Sequence, residues 1–268
     1  MTPEDLAAVG LRLDLVGPVA TITLDRPEVR NAQTPAMWRA LAEIGAGLGD
    51  EIRVVVVRGE GTTFSAGLDR AMLDPSGAGD GVETVAGLLA LGDDEVSATI
   101  DAYQQGFTFL RDPRFVSVAA VQGYAVGAGF QLALSCDLRV VADDAQLCMK
   151  ESALGLVPDL TGTKPLVESV GYARALEICA TARMVGAEEA VAIGLALTAV
   201  PAADLDATVA DLVGALTAPL SGVVTETKAL LQGAAQRDLE EQRRLEREAQ
   251  TRRFRALAEL ARATAAPE

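Results

Sequence analysis

The chain has 268 residues, no histidine, three cysteines and a formal charge of −15 from 38 acidic and 23 basic side chains. That acidity argues against a nucleic-acid partner, which needs a basic face. The missing histidine removes Ser-His-Asp and Cys-His nucleophiles and most zinc sites, so acid–base work falls to carboxylates, lysine, tyrosine or backbone dipoles. No apolar run approaches the roughly 20 residues that cross a bilayer. The opening MTPEDLAAVG has neither the basic start nor the apolar stretch of a secretory signal. A cytoplasmic protein with no membrane partner is expected. Cys136, Cys148 and Cys179 are odd in number and lack metal-ligand spacing, which predicts buried thiols rather than a disulfide frame or a metal site.

In chain order, LRLDLV (11–16) and VATITL (19–24) flank the turn pair Gly17-Pro18 and predict a hairpin. TPAMWRALAEIGAGL then offers Thr34 as N-cap and Pro35 at the first helical position. It sets Trp38, Leu41, Ile44 and Leu48 on one face, the pattern of an amphipathic helix. RVVVVRG (53–59), SVAAVQG (117–123) and LRVVAD (138–143) are near-continuous apolar runs, as expected of strands covered on both faces. Between the first two, DPSGAGDG (74–81) reads as a mobile loop bordering a pocket, followed by weakly amphipathic sequence up to Leu110. From Tyr172 the pattern is helical, and the charged stretch from Arg237 onward reads as a solvated or subunit-contacting helix.

Two glycine-containing corners follow predicted strands: Ala66-Gly67 in TFSAGLD (63–69), and Gly127-Ala128-Gly129 leading into a helix in GYAVGAGFQLALSCD. Glycine permits tight turns and close backbone approach, and free N–H groups at a helix start favour negative charge in front of them. Each corner alone also fits a plain packing turn. Their order is more specific. LDRPEVRNAQT, TFSAGLD, AAVQGYAVGAGFQLALSCDLRVVADDAQL, ESALGLVPDLTGT and GYARALEICATARMVGAEEAVAIGLALTAVP follow one another as in the enoyl-CoA hydratase/isomerase family, the crotonase superfamily, which this chain resembles over roughly residues 10 to 235.

The resemblance implies an α/β crotonase (ClpP-like) fold, a spiral of β-β-α turns over 1–200 with a helical trimerisation region over 201–268. It also implies a homotrimer or dimer of trimers acting on an acyl-CoA, with coenzyme A as part of the substrate and no metal or other cofactor. By position the thioester oxygen is expected between the N–H groups of Ala66 and Ala128. Arg26, Arg30, Ala66, Leu68, Asp69 and Arg70 are expected near the CoA moiety, and Met72, Leu73, Tyr103 and Phe107 around the acyl group. Hydratases of the family carry two glutamates, and the matching positions here are Gln131 and Glu151. A glutamine can hydrogen-bond water but cannot take its proton. Family members that move double bonds need only the second acid, and in some of them an aspartate eight residues on, here Asp159. Proton transfer by Glu151 and Asp159 is therefore the expected chemistry. Hydration is the alternative, followed by acyl-CoA hydrolysis or acyl-CoA binding without turnover. Without the resemblance, Glu151 also reads as a surface acid, Asp159 as an N-cap after Pro158, and Gln131 as a group that bridges water.

Overall fold

A computed structural model describes residues 1–73 and 83–265, so the segment 74–81 read above as a loop lies outside the described residues. Its strands are β1 Leu11–Val16, β2 Val19–Leu24, β3 Val54–Gly59, β4 Val116–Val121, β5 Tyr124–Val126, β6 Leu138–Ala142, β7 Gln146–Cys148, β8 Val185–Gly186 and β9 Thr198–Val200. Its helices are α1 Pro3–Ala8, α2 Pro35–Gly47, α3 Val85–Leu88, α4 Asp93–Thr108, α5 Ala128–Ser135, α6 Thr163–Val170, α7 Tyr172–Thr181, α8 Ala187–Ala192, α9 Leu205–Thr217, α10 Val223–Leu231 and α11 Leu239–Ala265. A six-stranded sheet runs β1-β2-β3-β4-β6-β9, and a smaller sheet runs β5-β7-β8. The expected hairpin is present, with β1 antiparallel to β2 and Val16 opposite Val19 across a Gly17 at φ 54°. Every later pairing in the large sheet is parallel.

The near-continuous apolar strands follow from burial on both faces. Along β3, Val55 and Val57 enter the main core, while Val54 and Val56 enter a second cluster completed by Leu205 and Val209 of α9. The main core takes the Trp38, Leu41, Ile44 and Leu48 face of α2 as the periodicity predicts. Each such side chain contributes about 1.5–3 kcal/mol by leaving water. Thr34 caps α2 by accepting from the Met37 N–H at 3.3 Å. The α2–α4 crossing is close enough that a methyl on Gly106 would run into the Trp38 carbonyl oxygen. Cys136 and Cys148 are buried, Cys179 is half-buried, and all three are free thiols.

The region beyond residue 200 is continuous with this body. Helix α9 covers the second face of the sheet, and the Lys228 ammonium of α10 is buried against Asp137 at 2.7 Å. Helix α11 is mostly exposed and meets α10 through the Arg252–Glu226 pair at 2.7 Å. The strands β5, β7, β8 and β9 have no counterpart in the sequence reading. Runs of two or three residues are too short to show a period, and they exist because distant backbone pairs with them. Among the described residues no helix is long and apolar enough to cross a membrane.

Candidate active site

The first corner is slotted between two neighbouring segments. On one side Ser65 donates its N–H to Tyr124 O at 2.9 Å and accepts from Val126 N at 3.0 Å. On the other, Ala66 N donates to Arg30 O at 2.8 Å, Gln33 N to Gly67 O at 2.7 Å, and Asp69 N to Gln33 O at 2.8 Å. The assignment of Ala66 as an oxyanion donor is thereby corrected, because its N–H is already spent inside the fold. The free donor is Leu68. It sits opposite Gln33 in a parallel bridge, where Gln33 bonds the residues on either side of it. Its own N–H points away from that neighbour and has no partner among the described residues. Gly67, at φ 88°, passes so close to the second corner that a methyl there would strike the Val126 carbonyl.

A buried side-chain scaffold behind this corner escaped the sequence reading. Ser65 Oγ donates to Asn31 O at 2.7 Å and accepts from Gln33 Nε2 at 3.1 Å and Gly67 N at 3.2 Å. Gln33 Oε1 accepts from the Trp38 indole at 2.8 Å, and Asn31 Nδ2 donates to Glu60 O and Thr63 O. The available signal was the polar run NAQT set directly before an apolar helix.

At the second corner, Gly127 at φ 53° turns the chain into α5, and its N–H donates to Cys148 O at 2.8 Å. Ala128 is the first helical residue, and Gln131 N is the first to bond back along the helix, to Gly127 O. The Ala128 N–H is thus one of the unpaired donors of the first turn, where the helix dipole favours negative charge. Gly129 lets the corners touch, since a methyl on it would lie 2.6 Å from Ser65 O. At the far end of α5 the buried Arg139 guanidinium donates to the Ala133, Cys136 and Leu195 carbonyls. That places a cation on the negative end of the helix and leaves the positive end facing the corners.

Gln131 and Glu151 meet beside this helix start. Gln131 Nε2 donates to Glu151 Oε1 at 2.7 Å, while Gln131 Oε1 accepts from Leu160 N at 2.9 Å and Gly162 N at 3.2 Å. Glu151 is only 8% exposed, and its Oε2 is buried with no partner among the described residues. The surface reading of Glu151 is therefore wrong. Burial pushes the Glu151 carboxyl above the usual range, the Asp159 charge adds to this, and the Gln131 hydrogen bond opposes it. Asp159 is exposed by area, yet enough protein surrounds its carboxyl that desolvation raises it as well. It caps no helix, because α6 begins at Thr163 with Gly162 as its N-cap.

The remaining expected residues divide. Arg26 and Asp69 pair with each other at 2.8 Å, and Arg26 also holds Ala32 O at 2.8 Å, so both are committed within the fold. Arg30 and Arg70 are exposed, with no ion pair to a described residue. Met72 is buried, and Leu73 is partly open. Tyr103 and Phe107 do not line an open acyl pocket. They pack on Trp38 with ring centroids 5.0 and 6.1 Å away, inside the core between α2 and α4. Burial, with the Glu83 charge beside it, pushes the Tyr103 phenol up to about 12. Two open grooves, near Tyr172 and Arg174 and near Arg58 and Asp206, contain none of the groups above. The unpartnered donors and the orphaned acid therefore make up the candidate site. Among the described residues no group of three or more Cys, Asp or Glu is placed to hold a metal ion.

A spiral of β-β-α turns with two N–H corners beside a buried carboxylate defines the crotonase fold. The chain belongs to the enoyl-CoA hydratase/isomerase family, whose profile matches residues 16–259. It is 34% identical over 196 residues to a Rhodobacter capsulatus protein named "Probable enoyl-CoA hydratase", covering 73% of this chain and 70% of that one. It is 31% identical to the (E)-benzylidenesuccinyl-CoA hydratase of Thauera aromatica, covering 82% and 81%. A Thermobifida fusca structure in complex with acetoacetyl-CoA superposes with a TM-score of 0.91 at 52% identity, covering 95% of this chain and 98% of that one.

Proposed function

We propose that the protein moves a double bond within an enoyl-CoA, with Glu151 as the proton carrier. The reading is carried by one observation: the buried Glu151 Oε2 has no partner among the described residues, while its neighbour Gln131 is an amide that cannot serve as an acid or base. The thioester oxygen accepts from the N–H groups of Leu68 and Ala128. Glu151 Oε2 takes a proton from the α-carbon of a 3-enoyl-CoA, and the C–H electron pair passes into a dienolate whose negative charge rests on that oxygen. Glu151 or Asp159 then returns a proton at the γ-carbon, leaving the 2-enoyl thioester. This shuttle needs no metal or redox cofactor. The same reading keeps the expectation of a trimer or dimer of trimers built through residues 201–268.

Hydration is the second reading, favoured by the names of the Rhodobacter and Thauera relatives. In it Glu151 alone deprotonates water at the β-carbon. The two separate in deuterated water. Isomerisation gives deuterium at the α- or γ-carbon of a 3-enoyl-CoA and little 3-hydroxyacyl product from a 2-enoyl-CoA, and Glu151→Gln reduces the exchange by ~10²–10⁴. Rapid hydration without exchange would reverse the preference. The base must be ionised to work, and its carboxyl is raised. The rate should therefore climb with pH through a limb lying above the ordinary carboxylate range.

A further inference from the structure

We propose that Gln131 is a positioning residue that makes Glu151 a base with one working oxygen, through an amide cradle formed by Leu160, Thr161 and Gly162. The proposal rests on the reading of Glu151 as the base, and it concerns what holds that base.

The orientation of the Gln131 amide is dictated by its surroundings. Two backbone N–H groups, from Leu160 and Gly162, converge on one end of it at 2.9 and 3.2 Å. That end must be the carbonyl oxygen, since an NH₂ would face two donors. The NH₂ is then aimed at Glu151, where it meets Oε1 at 2.7 Å. The cradle is specialised for this task. Thr161 holds φ 68°, a left-handed conformation uncommon for a side chain branched at Cβ. It lies between the two donating residues, an arrangement that lets flanking N–H groups converge on one acceptor. Gly162 is needed for contact, because a Cβ there would fall 2.7 Å from Gln131 Cγ. Ser135 Oγ donates to Gln131 O at 2.9 Å and lies 3.5 Å from Thr161 Oγ1, bracing both parts.

Two consequences follow. The amide oxygen already receives two hydrogen bonds, so Gln131 has little capacity left to accept one from an attacking water. Glu151 Oε1 is also engaged, which leaves the unpartnered Oε2 as the atom that meets the proton. Gln131 further stabilises the ionised form of Glu151 by donating to it, against burial and against the Asp159 charge. The other titratable groups nearby are the Cys148 and Cys179 thiols, both raised by burial and by the Glu151 charge, and the exposed Lys150.

The test follows the Glu151 carboxyl carbon by ¹³C NMR during a pH titration, its signal assigned by Glu151→Gln, in the natural protein, Gln131→Met and Gln131→Glu. Methionine removes the donor. Glutamate keeps an oxygen in the cradle and sets a second carboxyl against the first. The proposal expects Glu151 to bind its proton more tightly in both variants, about tenfold for Met and further for Glu, and the acid limb of deuterium exchange to move with it. An unmoved Glu151 titration in a folded Gln131→Glu protein overturns the cradle, whatever becomes of Gln131→Met. Undiminished exchange in Glu151→Gln overturns the base reading instead, and the titration still decides the cradle.

Discussion

Two polar pairs inside this molecule, one buried and one nearly so, have the same 2.7 Å separation and opposite characters. Lys228 and Asp137 leave no buried side-chain atom without a partner among the described residues: the ammonium also donates to Asp112 O at 2.6 Å and Phe115 O at 2.7 Å, and Asp137 Oδ2 accepts from Ser117 N at 2.8 Å. Gln131 and Glu151 are satisfied except for one oxygen. A polar atom buried without a partner costs stability, and the one on Glu151 lies beside the Gly127 corner, where the proposed function gives it a proton to take. The complete pair ties α10 to the sheet. In the proposed function the incomplete pair is the one that meets the substrate.

Breaking the complete pair should have the largest effect. Lys228→Met removes the cation and leaves the half-buried Asp137 carboxylate without it, which is expected to lower stability by about 3 kcal/mol in urea unfolding, with the folded fraction keeping its turnover. A loss in turnover larger than the loss in folded protein would erase the contrast between the two pairs. Ala128→Pro comes next. Proline is tolerated at a first helical position, so the fold should survive while the N–H disappears, and turnover should fall by ~10²–10³. A folded variant with full activity would remove Ala128 from the site. Smallest is Arg244→Ala on α11, whose i,i+4 pair with Glu248 at 2.8 Å is about half exposed on both sides. Its effect on unfolding should stay within ~0.5 kcal/mol. A larger loss would show that α11 is braced more like α10 than its exposure indicates.

Much of the fold was legible in the sequence because it rests on local periodicity. The hairpin at Gly17, the α2 face from Trp38 to Leu48, and the doubly covered β3, β4 and β6 all follow from spacings of two, from spacings of three to four, or from unbroken apolar runs. Both corners were legible from Gly67 and Gly127, whose positive φ angles the structure confirms. The pairing of positions 131 and 151 was legible only through family resemblance. What sequence could not supply was the choice of partner across space. Whether Ala66 or Leu68 keeps a free N–H depends on the register of 66–69 against 30–33, which no window of sequence contains. Whether Tyr103 and Phe107 line a pocket or fill the core depends on how closely α4 approaches α2. By itself the sequence determined the conformations available to each segment and an acid–base set without histidine. The tertiary structure decided which donors and which carboxylate oxygen stay unsatisfied, because satisfaction is settled by contacts between residues distant in the chain.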